Sequence, residues 1–282
     1  MPELVFVVER RRRITDTILR LLCGLAALLG ASVLLVLVIH VFVNGAVALR
    51  PALFTELPAP IGLPGGGIAH AIIGSVIIVG MACLAGIPIG IGAGMFLSES
   101  RNPSLTAIAR FAADVLSGIP SIVVGIFGYA LIVTAMGGFS GIAGAFALGV
   151  IALPIIARTT EETLRLVPND LREASLALGI PRWRTILSVV VPTASAGLIT
   201  GSMLAVARMA GETAPLIFTT LGNNFWNTDP TRPMGTMTLT IFQYAIWPYE
   251  ELHSQAWAAS LVLLLFVLAV NITVRLASRA RR

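Results

Sequence analysis

The sequence predicts an all-α membrane protein with six transmembrane helices. Three observations carry that prediction. Of 282 residues, 56% are hydrophobic and 12% charged, with a mean hydropathy of +0.91; an ordinary soluble domain has about 25% charged residues. Six apolar runs approach the roughly 20 residues that cross a hydrocarbon core. The arginines gather on one side of those runs, as the positive-inside rule requires.

The first run, residues 18–43, follows a short segment, 1–17, that contains Arg10 to Arg13. It is too long for a signal-peptide core of about 7–15 residues and lacks a small-residue cleavage site, so a retained helix is expected. The second run is 68–97, where Gly86, Gly90 and Gly94 recur every four residues and bare the backbone along one helical face. "GIGAG" at 90–94 invites a nucleotide-loop reading, but no strand precedes it and the run is apolar, so close helix packing is the reading adopted. The third run is 108–134 and the fourth 142–157. A loop, 158–192, leads to the fifth run, 193–220, where Gly197 and Gly201 repeat the four-residue spacing. The sixth is 256–276. Pro120, Pro154 and Pro215 lie within or at the ends of runs and are expected to kink helices. The membrane body is thus 18–282, with its core in 68–276.

Six crossings put both termini on the same side. With the N-terminus in the cytoplasm, sixteen arginines fall inside, Arg50 and Arg232 fall outside, and Arg208 is left within a span. Topology accounts for the net charge of +5, so no nucleic-acid partner is implied. All 19 basic residues are arginine. A phosphate-cradling P-loop needs a lysine, so this chain carries no such ATP site. Cys23 and Cys83 lie in apolar runs and read as packing residues; His40, His70 and His253 lack ligand spacing. No metal or cofactor is expected.

The loop contains "LREASLALGIPRWRTILSVVVP", residues 171–192, a charged stretch between greasy spans. Asp170 followed three residues later by Glu173 resembles a capping box. Leu171, Ala174, Ser175 and Leu178 share one face, while Gly179 and Pro181 supply a stop. A two-turn amphipathic helix is expected, then a second helical piece up to Pro192, where the chain turns into the bilayer. On physical grounds it is either a connector or a docking helix for a soluble partner.

Glu173-Ala174-Ser175, three residues, Gly179, nine residues, then Val189-x-Val191-Pro192 resembles the EAA signature of ABC importer permeases, with Ser for the second Ala and two Val for Ile and Leu. "VLSGIPSIVVGIFGYA" (115–130), "ARMAGETAPLIFT" (207–219) and 237–265 are similar to the phosphate importer permeases, of the PstA rather than the PstC type. The resemblance covers most of the chain from about residue 68. It implies a MetI-like permease fold whose coupling helix docks, through Glu173, Ala174, Ser175 and Gly179, on a separate ATP-binding cassette subunit, itself a dimer. It also implies a related second permease subunit, an extracytoplasmic phosphate-binding protein and a bacterial inner-membrane location.

Arg208 and Glu212 stand four apart within the fifth span, on one helical face. A charge at the bilayer centre costs at least about 2.5 kcal/mol, so such residues face a polar cavity or a partner. Two readings stand: an ion pair pinning the span to a neighbour, or a pathway in which Arg208 meets an oxyanion and Glu212 neutralises it when empty. A guanidinium suits phosphate because its planar donors match two oxygens at once. Asp114, four residues after Arg110, is expected to pair with it. The outer segment, about 221–255, holds Phe225, Trp226, Phe242, Tyr244, Trp247 and Tyr249. It reads as an interfacial belt or shallow re-entrant helix, or as the face that meets a binding protein. Rival functions are import of another oxyanion, such as molybdate or sulfate, and a stand-alone secondary transporter or channel.

Overall fold

The computed structural model describes residues 2–60 and 65–279, with the side chains of 12–60, 65–273 and 276. Arg281 and Arg282, and the side chains of Arg10, Arg11, Arg275 and Arg279, all expected on the cytoplasmic side, lie outside the described residues.

Helix α1 (Pro2–Val47) is followed by the short α2 (Pro51–Thr55). Among its described side chains, α1 leans on the rest near its C-terminal end, where His40 meets Trp257 edge-on at 5.0 Å and Gly45 lies against Leu261. The second run becomes α3 (Ala69–Glu99). The fourth becomes α6 (Gly141–Arg165), eight residues longer than expected at its C-terminal end. Helix continues through the charged residues 158–165 because they neutralise one another at helical spacing: Glu161 pairs with Arg158 at i−3 and Arg165 at i+4. The sixth run becomes α11 (Glu250–Arg279).

The third and fifth runs differ from the expected continuous helices. The third divides into α4 (Pro103–Gly118) and α5 (Ser121–Met136), bent by 100°. Pro120 is the cause. A residue before proline is pushed out of the helical region, and Ile119 sits at ψ 128°. The fifth starts earlier, as α8 (Arg182–Gly211), then stops, and resumes as α9 (Ala214–Thr219). Pro215 cannot follow in the same helix, because its ring would collide with the carbonyl four residues back, and Glu212 turns extended at ψ 132°. Pro154, by contrast, sits inside α6 without breaking it. Nor does the chain turn at Pro192. A π-helical turn at Ile186–Val190 opens the helix around the Ser188 carbonyl that Pro192 would otherwise strike, and α8 runs on.

The glycine faces fix the core. Gly90 and Gly94 of α3 face Ile156 and Thr160 of α6, so these helices run parallel; a Cβ on Gly90 would sit 2.7 Å from that of Ile156. Gly197 and Gly201 of α8 face Thr163 and Thr159 of α6, so α8 runs antiparallel. Between the three lies a buried cluster of Ile78, Leu148, Ile156, Ala205 and Met209. Cys23 and Cys83 are both free thiols.

A short helix, α10 (Met237–Ile246), follows the segment 221–236 and starts deep within the fold. Met237 N donates to Ser75 Oγ (2.8 Å), and Thr238 Oγ1 donates to the Glu212 carbonyl (2.9 Å). Further along, Tyr244 joins Ala256 and Ala259 of α11 in a second buried cluster. At the surface of the preceding loop, Thr231 donates to Asp229 through both its hydroxyl and its N–H, which holds that carboxyl below its usual range.

Candidate functional site

Arg208 and Glu212 meet at 3.2 Å across the end of α8. Glu212 is not within the helix, as the spacing suggested, but is the residue at which α8 stops. The register of α8 on α6 gives the depth. Gly197 lies opposite Thr163 and Gly201 opposite Thr159; extending that register sets Arg208 level with Ala152, near the middle of α6. The break in the other divided span lies at the same level. Gly125 of α5 packs against Pro215 of α9, with a Cβ there only 2.6 Å from the Pro215 Cα, and Gly128 packs on Thr219. α5 and α9 therefore run parallel, and Ser121, where α5 begins, falls level with Gly211. Two spans are thus interrupted side by side at mid-depth, next to the ion pair. At that level Val123 N–H donates to the Pro120 carbonyl and Leu216 N–H to the Thr213 carbonyl, so each new helix is closed by its own first turn.

Arg208 is 56% exposed and Glu212 13%. A half-exposed guanidinium at this depth cannot lie against hydrocarbon without a large penalty. The face carrying Leu204, Arg208 and Gly211 must therefore meet water or another protein.

The second region is the arginine-rich end. α7 (Asn169–Ala177) has the expected length and stops at Gly179, whose φ of +76° is the left-handed conformation glycine adopts freely. Its start differs from expectation. Pro168 occupies the N-cap, no side chain caps the helix, and Asp170 lies inside the first turn, where it favours the helix dipole instead. The expected apolar face also splits. Leu171, Ala174 and Leu178 are exposed, but Ser175 is buried and shares a hydrogen bond with Thr185 (2.9 Å). Ser175 therefore faces its own chain. Glu173 is exposed, with no hydrogen bond or ion pair among the described residues.

Asp114 does not pair with Arg110. It bonds Arg158 of α6, and Arg110 reaches Glu161 at 2.7 Å and the Leu97 carbonyl at 3.3 Å. The bend between α4 and α5 lays α4 across α6, so its charges meet α6 rather than one another. Glu161, 3% exposed, accepts from Arg110 and Arg158 and forms an ion pair with Arg165 at 2.8 Å. Glu161 is not legible from hydrophobic length, because the apolar run ends at 157. Its i−3 and i+4 arginines were the available signal. Glu99 and Arg172, paired at 2.8 Å, are not legible either, and only the fold brings them together.

Long apolar helices, two of them interrupted beside a charge pair, with a short exposed helix at one end, define a multi-pass membrane protein. Residues 86–282 match the binding-protein-dependent transport system inner membrane component, and the chain belongs to that family. It is 44% identical to the phosphate transport system permease protein PstA of Yersinia pestis, over 94% of this chain and 90% of that one. The PstA protein of Xylella fastidiosa is also 44% identical, over 95% of this chain and 93% of its own. Among solved structures, an inward-facing MetNI methionine ABC transporter chain superposes with a TM-score of 0.67 over 76% of this chain and 96% of its own, at 20% identity. The fold is therefore that of the MetI-like ABC importer permeases, in a multi-pass inner-membrane protein.

Proposed function

We propose that this chain is a permease subunit of an ATP-driven importer of inorganic phosphate. The near-full-length identity to phosphate permeases supports the substrate. One geometric observation carries the pathway: a half-exposed guanidinium at mid-depth, where two spans are interrupted. Discontinuous helices at the bilayer centre are a recurring way to present backbone dipoles to a substrate. Arg208 offers paired donors to two phosphate oxygens. Glu212 holds the guanidinium when the path is empty and is not itself a ligand.

In this reading the arginine-rich end is cytoplasmic, both termini are inside, and the loop 221–236 is outside. A second, related permease stands opposite the Leu204–Arg208 face across a water-filled path. A dimer of ATP-binding subunits docks on α7 through Glu173 and the exposed Leu171, Ala174 and Leu178, with Gly179 ending the helix; Ser175 supports it from within. A phosphate-binding protein delivers substrate to the outer face. ATP binding draws the coupling helices together, the spans open outward and phosphate passes Arg208. Hydrolysis in the partner resets them, and this chain performs no hydrolysis.

The test is phosphate uptake in cells carrying Arg208→Gln, with the assembled complex quantified in parallel. Uptake is expected to be lost and assembly retained. Normal uptake by this variant removes Arg208 from the pathway. In the native chain, competition by sulfate or molybdate as strong as by phosphate would assign another oxyanion.

A further inference from the structure

Arg172 and Glu173 are neighbours on α7, and a helix turns about 100° per residue, so they face different ways. Glu173 looks outward. Arg172 looks back into the fold, and its Nη2 lies 2.8 Å from Glu99 Oε1 and 2.8 Å from the Leu164 carbonyl. Glu99 is the last residue of α3, and Leu164 is next to last in α6. One guanidinium thus joins α7 to the ends of two long spans. Both partners suit it: a carboxylate, and a helix-terminal carbonyl whose other backbone partner, Val167 N–H, lies farther off at 3.3 Å. The pair is largely shielded, with 19% of Arg172 and 13% of Glu99 exposed. An exposed pair would contribute little, whereas one held out of water resists separation far more strongly.

What Arg172 grips is itself rigid. α3 and α6 are locked along their length by the Gly90–Ile156 and Gly94–Thr160 contacts. A displacement of α7 that pulls Arg172 therefore moves α3 and α6 as one body. The Ser175–Thr185 bond meanwhile ties α7 to the start of α8, the helix whose other end holds Arg208. α7 has two handles, one on each side of the helix packing that reaches mid-depth.

We propose that Arg172 is the transmission residue of this subunit: by clamping α7 to Glu99 and the Leu164 carbonyl, it converts motion of α7 into joint motion of α3 and α6. It is a positioning residue that touches neither phosphate nor nucleotide. The proposal rests on α7 being the docking helix for the ATP-binding subunit.

The experiment uses the complete importer in proteoliposomes with its phosphate-binding protein, and compares Arg172→Gln, Glu99→Gln, the exchange Arg172→Glu with Glu99→Arg, and Glu173→Arg. Each Gln variant is expected to keep the ATP-binding subunit and hydrolyse ATP, while phosphate moved per ATP falls about tenfold, the scale of a typical coupling free energy. The exchanged pair should recover several-fold over either single variant. Full uptake per ATP in Arg172→Gln overturns the proposal, as does loss of the ATP-binding subunit from that variant, which would make Arg172 a docking or folding residue. Failure of the underlying reading is visible separately: Glu173→Arg would then keep both its ATP-binding subunit and its uptake.

Discussion

Glu161 shows how much one buried carboxylate can organise. It is almost wholly enclosed, yet three guanidiniums reach it, two from its own helix and Arg110 from α4. Removing one member of such a cluster leaves the others partly desolvated and unpaired, which costs more than the pair contributes when intact. Arg158 and Arg165 are themselves partly in water, so the lower end of the usual range applies. Glu161→Gln should destabilise the subunit by about 3 kcal/mol, read as a lower midpoint of thermal unfolding of the purified complex. Arg165→Gln, removing the most exposed of the three, should shift the midpoint far less. Equal shifts would mean that burial of Glu161 is not what the cluster depends on.

The helices were legible where hydrophobic length and glycine spacing decided the outcome. All six runs became spans or broken spans, and the Gly86-Gly90-Gly94 and Gly197-Gly201 faces became the contacts around α6. What length could not reveal is where a span is interrupted. Pro120, Pro154 and Pro215 look alike in the sequence, but only two of them end a helix. Pro154 is buried inside α6, and the Pro192 collision is relieved by a π-helical turn. The coupling helix was legible in its length and stop, because Gly179 and Pro181 act locally; the inward turn of Ser175 was not, because its partner Thr185 lies across the following turn. The same reasoning separates glycines that look equivalent. Gly90→Val would force a side chain into Ile156 and should cost about 1–3 kcal/mol by overpacking. Gly24→Val, with open space around it, should leave the amount of folded, assembled subunit unchanged. Measuring both in detergent-solubilised complex checks this; equal tolerance would mean that α3 and α6 are not locked.

At the scale of the whole molecule, the question is which apolar surface meets lipid. Leu84 on α3 and Leu204 on α8 are both well exposed, at 79% and 58%, and by the glycine registers lie about 9 Å apart in depth, both within the middle half of α6. Area alone cannot tell them apart. Chemistry can, because Leu204 lies one helical turn from Arg208, and a charge at that depth needs a polar surround; α3 carries no Asp, Glu or Arg within three turns of Leu84. The two positions should therefore differ in access to water. In a chain whose Cys23 and Cys83 are replaced by Ala, Leu204→Cys is expected to react with a membrane-impermeant thiol reagent when the importer is assembled. Phosphate and the binding protein should slow that reaction. Leu84→Cys should stay unmodified, because its surface is covered by acyl chains. If Leu84→Cys were the one modified, the Arg208 face would be a sealed contact between subunits, and the broken spans would have to serve packing instead of passage.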